Sequence, residues 1–227
     1  MFKVFLASVL LGPVVLRGGY VVFVRSRWGL LAFPLSYASV FKVLVFGVYR
    51  VLDVFLVGSR FLGVGAGVGD SCFYALRRGA RSVVCVEPDA VMARFLRFNL
   101  AVNRLRGDVV EACVGGTCFM VDWGSGSVSR VCGVGVGWDE LLPLGFDVVK
   151  VDCEGCEWTL ESRHIEKAKV WLVEVTGPLE RFLRRVPPRY KVFLVSRGVN
   201  SSSLMESSLV LVVDPRWIRG LQRTPRA

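Results

Sequence analysis

The stretch from Phe61 to Asn103, FLGVGAGVGDSCFYALRRGARSVVCVEPDAVMARFLRFNLAVN, decides the fold. It opens on an apolar run at 61–65, carries glycines at 63, 65, 67 and 69, and continues into a helical pattern from about Asp70 to Arg78. A second apolar run, 82–86, ends in Glu87, and a second helix is expected from about Ala90 to Arg104. Runs that are apolar throughout read as buried parallel strands, because a strand covered by helices on both faces has no solvent side to make polar. Outward from there the alternation continues as strand 109–114, a hairpin across 117–135, strand 147–152, helix 156–163, strand 170–175 and helix 178–185. Strands 190–196 and 208–213 follow without a helix between them, so they are expected to pair antiparallel at the end of the sheet. Upstream, VVLRGGYVVFV at 14–24 reads as a hairpin around Gly18-Gly19, and Tyr37 to Leu52 as a helix. The fold class is α/β, a doubly wound and mainly parallel sheet with a small N-terminal hairpin and helix extension. The expected divisions are an extension at 1–58, a core domain at 59–214 and a basic, loosely held tail at 215–227.

The glycine loop carries the first chemistry. Glycine lets the backbone turn sharply and lets a ligand approach with no Cβ in the way, while the following helix N-terminus presents unpaired N–H groups. Glu87, about 20 residues on at the end of the next strand, is positioned to accept hydrogen bonds from two ribose hydroxyls. Dinucleotide and S-adenosylmethionine sites both use that arrangement. The spacing here departs from G-x-G-x-x-G, since position 68 is Val and position 70 is Asp, which moves weight away from a nicotinamide cofactor. Gly63, Gly65, Ala66, Gly67, Gly69, Asp70 and Glu87 are the candidate cofactor-binding residues.

The second informative run is FDVVKVDCEGCEW, 146–158. In an extended strand Lys150, Asp152 and Glu154 share a face, and Glu154 and Glu157 would share one at i,i+3 once a helix begins. An open α/β sheet binds its ligand at the carboxyl ends of its strands, beside the point where strand order reverses, and these acids leave such an end. Acidic residues also suit a helix N-terminus, but three of them around Gly155 are more than a cap requires. Asp152 is the first candidate for a general base and Glu154 the second. Asp152, Glu154 and Glu157 could alternatively hold Mg²⁺, and Glu174 is expected on the same rim.

Composition narrows the chemistry further. The chain's 227 residues suffice for one α/β domain and leave no room for a separate substrate domain, so an acceptor must bind on the rim or be completed by a second subunit of a homo-oligomer. One histidine, His164, argues against a Ser-His-Asp hydrolase or a histidine-rich metal site. Seven cysteines scattered through core strands read mainly as small buried hydrophobes, with Cys153 and Cys156 as a C-x-x-C pair that lacks the second pair a zinc site wants and for which a disulfide stays open. The apolar run from Val4 to Leu16 is interrupted at Gly12-Pro13 and is too short to span a bilayer, so a buried N-terminal element and a cytoplasmic location are expected, with a peripheral membrane contact and a cleaved signal as the alternatives. The net charge of +10 favours polyanionic partners without establishing one.

The stretch 61–103 and the segment WDELLPLGFDVVKVDCEGCEW together resemble the FkbM-type methyltransferases. The similarity covers roughly residues 15–213. The glycine loop is generic to class I methyltransferases, whereas the K-x-D-x-E-G-x-E segment is distinctive. The resemblance implies a seven-stranded sheet, S-adenosylmethionine as cofactor, and O-methylation of a hydroxyl on a sugar or other small molecule. It also implies cofactor contacts from Gly65, Ala66, Gly69, Asp70 and Glu87. Gly63 stands where the family usually has Asp, and Gly67 where it usually has Asn. Three alternatives stay open: an RNA methyltransferase or RNA-binding protein using the basic surface, an NAD-dependent oxidoreductase, and a non-catalytic relative.

Overall fold

Three antiparallel strands come first and form a small sheet of their own: β1 (Val14–Arg17), β2 (Val21–Ser26) and β3 (Gly29–Pro34). The central sheet begins with β4 (Arg60–Val64), β5 (Ser82–Val86) and β6 (Asp108–Val110). Two short pairs follow, β7 (Cys113–Val114) parallel to β10 (Gly135–Val136), and β8 (Cys118–Val121) antiparallel to β9 (Val128–Val131). The central sheet is completed by β11 (Val148–Val151), β12 (Val170–Thr176), β13 (Lys191–Val199) and β14 (Glu206–Val213). These elements come from a computed structural model that describes residues 14–17, 21–26, 28–34, 37, 40, 47–115, 118–121, 128–131, 135–199 and 206–221.

The seven strands run in the order β13-β14-β12-β11-β4-β5-β6, all parallel except β14, which pairs antiparallel with both neighbours. The chain therefore travels from β4 outward to β6, returns to the other side of β4 at β11, and leaves a crevice at the carboxyl ends of β4 and β11. Alternate residues of the inner strands supply two cores. Phe61, Val83, Val148 and Leu172 face one layer, and Leu62, Val64, Val149 and Trp171 face the other. That division is why the strand sequences are apolar throughout.

Two asparagines join the small sheet to the domain. On the helix Ala90–Val102, the Asn99 amide accepts from Ala32 N at 2.7 Å and donates to Ala32 O and to Val68 O, both at 2.9 Å. One turn on, Asn103 accepts from Leu30 N at 2.9 Å and donates to Leu30 O at 2.5 Å. Side-chain amides thus stand in for a neighbouring strand along β3 and satisfy its outer edge.

Several expectations are corrected. A third strand, β3, joins the N-terminal hairpin. Of the helix expected over 37–52, residues 38–39 and 41–46 lie outside the described residues; Gly47 is left-handed at φ +63°, and Val48–Leu52 is a 3₁₀ turn leading into a short helix, Asp53–Leu56. Strand 109–114 divides into β6 and β7, which belong to different sheets. Helix 156–163 is a 3₁₀ turn, Cys156–Thr159, then an extended Leu160 and a separate helix, Ser162–Ile165. Arg185 donates to the carbonyls of Trp158 and Leu160 there, taking backbone acceptors that a continuous helix would have used. The start of the tail is held rather than loose: Pro215–Leu221 is helical, and Trp217 stacks on Phe55 with ring centroids 5.4 Å apart. The apolar N-terminal reading, as far as Pro13, lies outside the described residues. Among those described, no helix is long and apolar enough to cross a membrane.

Candidate functional site

Strand register assembles the site. Cys85, Gly63, Lys150 and Leu172 are neighbours across β5, β4, β11 and β12. Two residues further along each strand, on the same face, come Glu87, Gly65, Asp152 and Glu174. The ladder continues past the strand ends, since Gly65 N donates to Val86 O and Asp152 N to Val64 O, each at 3.0 Å. Four of the residues selected from sequence thereby form one row along the rim of the crevice.

The loop above this row needs its glycines. Gly65, Gly67 and Gly69 have φ of +69°, +53° and +89°. A Cβ on Gly65 would lie 1.7 Å from the carbonyl oxygen of Asp152, so the loop and β11 approach as closely as they do only because position 65 lacks a side chain. Glu87 closes the loop from the other side. Its carboxylate accepts from Gly67 N at 2.7 Å and from Asp89 N at 2.9 Å, while Asp89 caps the next helix by accepting from Val91 N and Met92 N.

Lys150, which sequence reading placed on this face without a role, ties the site together. The residue is 3% exposed, and its ammonium donates to Gly65 O at 3.0 Å and pairs with Asp152 Oδ2 at 3.1 Å. Burial works to lower its pKa, but the carboxylates of Asp152 and Asp70 outweigh that effect and raise it. Asp70, at the start of the helix Asp70–Arg77, is itself pushed up to about 6 by burial, with the Lys150 charge opposing. The K-x-D spacing was the available signal for Lys150. Nothing in the sequence pointed to the two tyrosines that pack here, Tyr37 and Tyr49.

Glu157 is absent from the rim. Its side chain is fully buried and turns under the loop, accepting from Gly155 N at 2.8 Å and from Thr176 N at 3.2 Å. Glu154 is left-handed at φ +53° and sits outside the 3₁₀ turn, so the expected i,i+3 face with Glu157 does not form. Asp152, Glu154 and Glu157 consequently do not converge, and the described residues contain no group of three ligands able to hold a metal ion. The donors expected for Mg²⁺ do not fit it. Glu157 lies fully buried on the backbone N–H groups of Gly155 and Thr176 instead of on the rim, the demand created by leaving helix geometry after β11.

Among the described residues, Cys72 and Cys85 are paired where buried hydrophobes were expected, and the two C-x-x-C cysteines are paired with each other. Cys153 bonds Cys156 across the loop, and Cys72 on the helix Asp70–Arg77 bonds Cys85 on β5. The second pair bears on Gly63, because a Cβ there would meet Cys72 Sγ at 3.0 Å. The sulfur fills the space a side chain at 63 would need, and its bond to Cys85 keeps it from giving way. Gly63→Asp is therefore expected to destabilise the protein by about 1–3 kcal/mol by overpacking. Most of that loss should be absent when the same substitution is made in a Cys72→Ala background, with both compared by urea denaturation.

Burial also sets a pH dependence. It raises Glu87 to about 7 and Glu157 to about 7, from an ordinary value of 4.5. A carboxyl with a raised folded-state pKa binds its proton more tightly folded than unfolded, so it favours the fold most at low pH and loses that contribution as pH rises from about 4.5 to about 7. The ligand-free melting temperature should fall across this window and level off above about pH 8. Glu87→Gln should flatten the slope, and an unchanged slope would contradict the assignment.

No protein-family model matches the chain, and no curated protein does. Solved structures do. The T. thermophilus 16S rRNA N2 G1207 methyltransferase (RsmC), determined in complex with AdoMet and guanosine, is 16% identical, with 91% of this chain aligned to 59% of that one and a TM-score of 0.52. Trm5b from Pyrococcus abyssi is 12% identical, with 88% of this chain aligned to 62% of that one and a TM-score of 0.56. The chain spans about three-fifths of the length of each. At these identities the shared property is the fold: an α/β domain with the seven-stranded, mainly parallel sheet of the class I methyltransferases.

Proposed function

We propose that this protein is an S-adenosylmethionine-dependent methyltransferase acting on a hydroxyl of a sugar or other small molecule, and a relative of the FkbM-type enzymes. The observation that carries the reading is the row Glu87, Gly65, Asp152 and Glu174 at the switch point of the sheet, beneath a loop held open by left-handed glycines. The cofactor fits this cradle in kind. A Cβ is excluded at Gly65, and a buried carboxylate, Glu87, stands at the end of the second strand to hold ribose hydroxyls.

When bound, S-adenosylmethionine supplies an electrophilic methyl group on a sulfonium. The chain's part is alignment, exclusion of water and removal of a proton. Asp152, about one-third exposed and anchored by Lys150, would accept the proton of the acceptor hydroxyl when the methyl group is transferred to its oxygen. Glu154 is the alternative base on the same loop.

A second reading, an RNA acceptor, is favoured by the net charge of +10. Calorimetry with S-adenosylmethionine, S-adenosylhomocysteine and NAD tests the cofactor, and NAD binding alone would turn the reading to an oxidoreductase. Transfer of tritiated methyl to a panel of small hydroxyl compounds and to transcribed ribosomal and transfer RNA then separates the acceptors. Cofactor binding without transfer to either class would favour a non-catalytic relative.

A further inference from the structure

The loop that leaves β11 carries a covalent bond that the proposed chemistry does not use. Cys153 follows Asp152 directly and bonds Cys156, so the bond encloses only Glu154 and Gly155. Both enclosed residues have positive φ, +53° at Glu154 and +130° at Gly155. Glycine adopts such a backbone freely, whereas a glutamate there is strained and persists only where its surroundings impose it. The disulfide is one such constraint, and the hydrogen bond from Gly155 N to Glu157 Oε2 at 2.8 Å is a second. Just upstream, Asp152 N is tied to Val64 O, and the Asp152 carbonyl packs against Gly65. The disulfide therefore shares one short stretch of backbone with both candidate bases.

The two disulfides formed between described residues stand in different surroundings. Cys72 and Cys85 are both 0% exposed, between the helix Asp70–Arg77 and β5. A reductant reaches them only if the core opens, because exchange needs access to a sulfur. Cys156 is buried too, but Cys153 is half-buried, so the loop pair can be approached from its Cys153 side. Cys153 Sγ also lies 3.7 Å from Glu157 Oε2. A carboxyl at that distance can hand a proton to a thiolate as it is released. Burial raises Glu157 to about 7, so it still carries protons at neutral pH.

We propose that Cys153–Cys156 is a reversible thiol–disulfide exchange site, opened by a dithiol, and that opening it lowers catalysis by releasing the stretch that carries Asp152 and Glu154. A thiolate of the dithiol attacks Cys153 Sγ and the bond to Cys156 breaks, with Cys156 leaving as a thiolate that takes up a proton. The second sulfur of the dithiol then attacks the first, closing its own disulfide and releasing Cys153, which takes a proton from Glu157; water restores that proton. Two electrons and two protons pass to the protein, and the dithiol is oxidised. The exchange stands apart from the methyltransferase reading, whereas its effect on catalysis rests on it. The test treats the folded full chain with dithiothreitol, alkylates the free thiols and maps them by mass spectrometry. Cys153 and Cys156 are expected to be alkylated while Cys72 and Cys85 are not, and replacing the reductant with oxidised glutathione is expected to restore the bond. A loop pair that opens only on unfolding, that opens together with the core pair, or that fails to close again overturns the proposal. Methyl transfer by the reduced chain is expected to fall about tenfold to hundredfold, the effect of a reacting group displaced by about 1 Å, with S-adenosylhomocysteine still bound. Cys153→Ser is expected to show the reduced chain's rate with or without dithiothreitol; a response to dithiothreitol in that variant would trace the effect to other cysteines and overturn the proposal. Equal rates in the oxidised and reduced native chain overturn the control of catalysis. If neither form transfers methyl, the methyltransferase reading fails, and the alkylation pattern alone still decides the exchange site.

Discussion

Gly65→Ala is expected to cost about 3 kcal/mol or more of folding stability and to abolish cofactor binding. Two independent effects add at this position. The backbone is left-handed at φ +69°, which strains any residue with a Cβ, and the new carbon would lie 1.7 Å from the Asp152 carbonyl oxygen. The second effect dominates, because the obstacle is backbone at the end of a central strand rather than a side chain able to swing aside. Relief requires the loop to lift from β11. That movement would break the bond from Lys150 to Gly65 O and strand a buried ammonium with fewer partners. Urea denaturation gives the stability and calorimetry the binding. A variant with native stability and affinity would show that the loop does not pack against β11 in this way.

Asp152→Asn is the most direct probe of the chemistry. The amide is nearly isosteric and its oxygen can still accept from Lys150, so the loop should keep its place and S-adenosylhomocysteine its affinity within about threefold. Turnover should fall by roughly 10²–10⁴, the usual contribution of a general base. The measurement is transfer of tritiated methyl to whichever acceptor the screen identifies, with binding followed in parallel. A kcat unchanged in Asp152→Asn and lost in Glu154→Gln would move the base to Glu154. A kcat unchanged in both would remove the carboxylate mechanism.

The parts of the site that sequence located are those governed by local rules. Strand periodicity puts residues two apart on one face, so the relation of Lys150 to Asp152 is legible from spacing alone. The end of an apolar run marks a strand end, which puts both Glu87 and Asp152 on a rim. Glycines at alternate positions after a strand announce a turn with left-handed residues, and three of the four, Gly65, Gly67 and Gly69, are left-handed. Gly63 is the exception. It is a strand residue, and its want of a side chain makes room for the Cys72 sulfur instead.

The metal expectation failed for a comparable reason. Glu154 and Glu157 would share a face only if a helix began directly after β11, and a left-handed Glu154 followed by a 3₁₀ turn breaks that geometry. Once the turn was not helical, its backbone N–H groups needed an acceptor, and Glu157 turned inward to supply one.

By itself, then, the sequence determined the α/β alternation, the positions of the glycine turns and the two strand ends that carry Glu87 and Asp152. Each of these follows from side-chain periodicity and backbone freedom within a few residues. Only the tertiary structure decided that Lys150 joins the loop to Asp152, that Glu157 serves the backbone, and that Cys72 bonds Cys85 beside Gly63. These depend on contacts between residues far apart in the chain, made by strand register, and no local pattern encodes which distant side chain will meet a given loop.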